Sequence, residues 1–121
     1  YQQSSVMSAG RGDLTLMLFN GAVKFISQGV RYIEEKNVQA AHNSIVRAQE
    51  IISELNGTLN LDYEISSNLA LLYDYLHRRL VEANTKKDRE ILDEVLGLVT
   101  ELRDTWAQAV KLSRSALASG Q

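Results

Sequence analysis

Leu14-Thr15-Leu16-Met17-Leu18-Phe19-Asn20-Gly21-Ala22-Val23-Lys24-Phe25-Ile26 is the stretch that decides the fold. At helical spacing, one apolar row runs through Leu16, Phe19, Val23, Ile26, Val30 and Ile33 in steps of three and four. A second row, Leu14, Leu18, Ala22 and Phe25, lies to one side of it. One stripe is enough to dock a surface helix on a core. Two stripes predict a helix wedged between neighbours, or one that keeps an apolar groove for another molecule.

The same periodicity continues outward. Asn37 is a candidate cap for a second helix with the row Val38, Ala41, Ile45, Ala48, Ile52, Leu55 and Leu59. A third helix places Ile65, Leu69, Leu72, Leu76, Leu80 and Ala83 inward, with Leu71 and Tyr75 beside them. Asn84 suits the left-handed residue that ends it, and Thr85 with Asp88 resembles a weak capping box for the next. The fourth helix again carries two rows: Ile91, Val95, Leu98, Leu102, Ala109, Leu112 and Ala116, and Leu92, Leu96, Val99, Trp106, Val110 and Leu117. Upstream, residues 1–12 have no period and contain Ser4, Ser5, Ser8, Gly10 and Gly12. They read as an arm, with Asp13 as the first N-cap. Gly21 and Gly29 inside the first helix mark a close approach by a neighbour, or a notch.

The expectation is a single all-α domain over residues 1–121: an antiparallel up-down-up-down four-helix bundle with a short N-terminal arm. The helices cover about 13–36, 38–59, 62–84 and 86–118, and the short connections force neighbours to run antiparallel. With 121 residues, no proline and only seven glycines, the chain has room for a real core and few helix breakers. Hydrophobic residues at 45% and charged residues at 23% are ordinary globular proportions, which argues against wholesale disorder.

Most chemistry is excluded by what the chain lacks. There is no cysteine, hence no disulfide, thiolate metal site or cysteine nucleophile. A net charge of −2, with Arg78-Arg79 and Lys86-Lys87 as the tight basic runs, gives no nucleic-acid footprint. No apolar run is long enough to insert in a membrane, and the polar start shows no signal peptide. Asp74-x-x-His77 has the spacing of half a carboxylate di-metal motif, but the other histidine, His42, is preceded at that spacing by Gln39, so no metal site is expected. No nucleophile elbow or phosphate loop appears, so no catalytic residue and no cofactor is assigned. Arg11-Gly12-Asp13 spells an adhesion tripeptide, but Asp13 has a simpler use as a cap. Asn56-Gly57-Thr58 is a glycosylation sequon only in a secreted chain.

What remains is the surplus of apolar rows on the first and fourth helices. Either they line a wide core or a seam through which the chain makes a homodimer, or they form grooves for amphipathic helices of a partner. Spacing leaves both open.

Leu14-Thr15-Leu16-Met17-Leu18-Phe19-Asn20-Gly21-Ala22 closely resembles the L-T-L-M-L-Y-[DN]-G-A signature of the flagellar secretion chaperones, the FliS family. Tyr1-Gln2-Gln3, the block from Ala48 to Leu55, the block from Leu72 to Asn84, and the block from Val99 to Trp106 match in order, so the likeness covers nearly the whole chain. Two positions depart: Phe19 stands where many members have tyrosine, and Arg11 where proline is common.

The resemblance implies a helical bundle of the bacterial cytosol. It would bind the disordered C-terminal segment of flagellin, prevent its premature polymerisation and keep it competent for flagellar type III secretion. The flagellar export apparatus or a co-chaperone are further partners in the family, with no residue here to assign to them. Combining matched blocks with row geometry, the expected flagellin contacts are Leu14, Leu18, Ala22 and Phe25 on the first helix, Tyr73 on the third, and Trp106 and Val110 on the fourth. The arm that opens with Tyr1, Gln2 and Gln3 is a candidate cover for that groove.

Overall fold

The computed structural model describes residues 3–118, with side-chain surroundings from Gly12 onward. Four helices make up the described residues: α1 (Gln3–Glu34), α2 (Val38–Gly57), α3 (Glu64–Lys86) and α4 (Arg89–Ala118). Each packs against its neighbours in chain order, and α4 closes back on α1. Gly29 of α1 faces both Ile45 of α2 and Leu92 of α4, while Gly12, at the other end of α1, faces Val110 of α4. Neighbours therefore run antiparallel, as the spacing predicts.

The ends are fixed by local chemistry. Lys36 takes a left-handed conformation, φ 58°, so Asn37 N–H can reach back to the Tyr32 carbonyl at 2.9 Å and Lys36 N–H to that of Ile33 at 3.0 Å. This double return is the Schellman closure. The Asn37 side chain then accepts from Ala40 N–H at 3.1 Å and opens α2.

The α3–α4 turn repeats the device, but three residues later than expected. The left-handed residue is Lys87, φ 50°, and Asp88 N–H donates to Ala83 O at 3.0 Å. Asp88 Oδ1 accepts from Glu90 N–H at 2.9 Å and caps α4. Asn84 stays helical; its amide meets His42 Nδ1 at 3.0 Å, and its carbonyl accepts from Lys87 Nζ at 2.5 Å. Thr85 donates to Val81 O at 3.0 Å rather than capping anything.

The segment read as an arm is the larger departure. α1 begins at Gln3, not near Asp13; Tyr1 and Gln2 lie outside the described residues. Asp13 sits within the helix and pairs with Arg114 of α4 instead of capping an end. Serine and glycine lower helix propensity, but extending a helix already anchored by packing costs far less than starting one.

The core stripe of α1 is Phe19, Ala22 and Ile26, all at most 1% exposed. It takes residues from both predicted rows. Against it pack Ile45, Ala48, Ile52 and Leu55 of α2, Leu76, Leu80 and Ala83 of α3, and Leu92, Val95 and Val99 of α4. Gly21 and Gly29 mark close approach: a Cβ at Gly29 would lie 3.2 Å from Ile45 Cγ1 and 3.3 Å from Leu92 Cδ1. At 32 and 30 residues, α1 and α4 outrun α2 and α3, at 20 and 23. At about 1.5 Å per residue, their paired ends project past the α2–α3 connection.

Candidate partner-binding groove

The α3–α4 seam is the loosest of the four, and it is uneven along its length. Toward the α3–α4 turn it is locked by polar contacts. Tyr75 Oη donates to Glu94 Oε2 at 2.5 Å and Arg79 Nε to Glu94 Oε1 at 2.8 Å. Arg79 also bonds Glu82 at 2.5 Å, and Glu82 accepts from Lys86 at 3.0 Å. Glu94 is held below the ordinary carboxylate value, first by the Tyr75 hydrogen bond and then by Arg79.

Beyond the lock the helices leave an apolar trough of about 460 Å³. Its α3 wall is Ile65, Leu69, Leu72 and Tyr73; its α4 wall is Leu98, Leu102, Trp106 and Ala109, with Glu101 and Thr105 at the rim. Phe19 of α1 forms the floor, its ring 6.5 Å from that of Tyr73 and 6.3 Å from that of Trp106. Ile65 is 64% exposed although its spacing assigns it to the core. Along α3 one row is core at Leu76 and Leu80 and groove wall at Ile65 and Leu69.

Trp106 has a second role. Its indole Nε1 donates to Gly12 O at 3.0 Å, while Val110 approaches so closely that a Cβ at Gly12 would lie 3.1 Å from its Cγ2. With Arg114 on Asp13, successive turns of α4 clamp one short stretch of α1 beside the trough. Tyr73 is 3% exposed, and burial pushes its phenol up to about 12. It also borders a polar cleft of about 210 Å³ between α2 and α3, lined in part by Ser53, Asn56, Asp74 and His77.

The sequence model of the family described as flagellar protein FliS matches residues 1–113. This chain belongs to the FliS family. A flagellar secretion chaperone FliS of Bacillus subtilis is 47% identical over 114 residues, 94% of this chain and 86% of the relative. Those of Salmonella typhimurium and Escherichia coli are 36% and 33% identical, covering 88% and 89% of this chain and 81% and 82% of the relatives. Family members carry names of chaperones, not of enzymes. Among the described residues no helix is long and apolar enough to cross a membrane, and no histidine–carboxylate cluster has metal-binding geometry.

Of the contacts expected of a FliS family member from the sequence, the structure brings two to the trough, Tyr73 and Trp106. Val110 is turned toward Gly12. Ala22 is fully buried. Leu18 and Phe25 pack on the flank of the core, and the Phe25 ring has Lys24 Nζ 5.3 Å and the Arg47 guanidinium 5.8 Å from its centre. Leu14 borders a separate hollow with Leu59 and Leu61 at the α2–α3 connection. The walls that sequence reasoning missed, Ile65, Leu69, Leu72, Leu98 and Leu102, fall in inner rows by their spacing. Their signal is the surplus of apolar positions that a four-helix core does not need.

Proposed function

We propose that this chain is a cytoplasmic export chaperone for flagellin, and that the α3–α4 trough takes an amphipathic helix from the otherwise disordered flagellin C-terminal segment. Covering that segment blocks premature polymerisation and keeps the cargo competent for flagellar type III secretion. The observation that carries the reading is the trough itself: two walls of leucine and isoleucine with an aromatic floor, open to solvent in a chain whose core is already closed. Burying apolar surface there yields about 25 cal/mol per Å², part of it offset by ordering the cargo. Membership of a family whose relatives are named flagellar secretion chaperones supports the choice of cargo.

Isothermal titration with a flagellin C-terminal peptide of about 40 residues tests it. One-to-one binding with a negative heat-capacity change is the signature of apolar burial. Leu102→Asp should weaken it at least tenfold, because a carboxylate would be buried without a partner. An unchanged affinity in Leu102→Asp contradicts the site. The competing reading, a self-association seam, predicts dimers of the isolated chain by sedimentation and a loss of those dimers in the same variant.

Occlusion by the N-terminal segment belongs to the same proposal. Residues 3–11 prolong α1 as helix past the Trp106–Gly12 clamp, so covering the trough requires them to leave that helix. Deleting residues 1–11 should raise cargo affinity if they compete for the groove; an equal or weaker affinity rules the competition out.

A further inference from the structure

Among the described residues, Glu101 is the one charged side chain lining the trough. It is exposed and has neither an ion pair nor a hydrogen-bond partner among those residues. Its acidic neighbours on α4 are matched: Glu94 is held by Arg79 and Tyr75, and Asp104 by Arg103. Glu64, next to the wall residue Ile65 on the opposite helix, likewise has no cation partner among the described residues. Glu101 therefore places one unbalanced negative charge where an occupant of the trough would lie.

From these observations we infer that Glu101 is a specificity-determining residue, selecting an amphipathic helix with a lysine or arginine on the flank of its apolar row. The inference rests on the groove reading above and adds the charge of the occupant to it. A helix seated against Leu98 and Leu102 strips water from Glu101, which lies on the same wall. An uncompensated carboxylate resists that dehydration. A flanking cation turns the resistance into a charge-assisted contact, and a flanking acid adds repulsion. The position is also defined. The wall from Leu98 to Ala109 is about 17 Å long at 1.5 Å per residue, and the Glu94 lock closes one end. Glu101 sits within two helical turns of that lock, so the cation belongs near the occupant's end that abuts it.

The test uses two synthetic amphipathic peptides with one leucine row. One carries lysine at each flanking position for three turns, the other glutamate, so that register does not decide the result. Their affinities are measured for the wild-type chain, for Glu101→Lys, and for Glu54→Lys, an exposed α2 position that makes the same change in net charge away from the trough. The wild type should prefer the lysine peptide about fivefold, the range of a half-exposed ion pair. Glu101→Lys should abolish or invert that ratio, while Glu54→Lys should leave it within about twofold. If Glu101→Lys shifts the ratio no more than Glu54→Lys does, the inference falls and the groove reading stands. If neither peptide binds the wild type, both fall.

Discussion

Tyr73 shows how one side chain can serve core and site together. Its ring packs on Phe19 and faces the trough, and its phenol is raised to about 12 by burial. A folded value above the ordinary 10 means that the native state keeps a proton the unfolded chain gives up. Its contribution is complete below pH 10 and is lost as pH rises toward 12. Denaturant midpoints should therefore fall between pH 10 and 12, and Tyr73→Phe should flatten that fall while keeping the ring contact. An equally steep fall in the variant would assign the effect elsewhere. Glycines supply a paired prediction at the same scale. Gly97 is exposed within α4, with open space where a Cβ would stand, whereas Gly29 has two helices against it. Gly97→Ala should raise stability by about 1 kcal/mol through helix propensity, roughly 3–6 °C in Tm for a domain of this size. Gly29→Ala should lower the melting temperature, since Ile45 and Leu92 must both give way.

At the scale of elements, α3 and α4 are held by the Tyr75–Glu94–Arg79 lock at one end and lined by apolar walls at the other. Because Glu94 titrates below its ordinary 4.5, its contribution is present above that pH and is lost as pH falls through the lowered value. Glu94→Gln should speed amide exchange in α3 and α4 near the lock and leave the α1–α2 pair unchanged; uniform acceleration would show that the lock does not act locally. How much of these elements is legible in the sequence follows from the same contrast. Helix existence and antiparallel order are written in the three-and-four spacing, and Asn37 announces its cap. Spacing does not say which way a row faces once the helices part. Ile65 and Leu69 continue the row of Leu76 and Leu80, yet line the trough because α3 and α4 are looser there. On α1 the core stripe takes Phe19 and Ile26 from one row and Ala22 from the other, which removes the expected α1 wall. The helical start at Gln3 is hidden because the clamp onto α4, through Trp106, Val110 and Arg114, joins residues about a hundred positions apart.

For the whole molecule, the four helices form a closed ring around one core, and an apolar trough stays open between α3 and α4, while Leu61, Leu71, Leu112 and Leu117 are exposed elsewhere. In the reading proposed above, an occupant of the trough would gain burial without opening that core. The chain's single tryptophan, Trp106, stands in the trough wall and makes the claim directly measurable. Its fluorescence would be followed while a tryptophan-free flagellin C-terminal peptide is titrated in. The account predicts a saturable one-to-one blue shift, as water leaves the indole, that requires Leu102. Binding detected as heat while the Trp106 spectrum stays unchanged would contradict it, placing the cargo somewhere other than between α3 and α4.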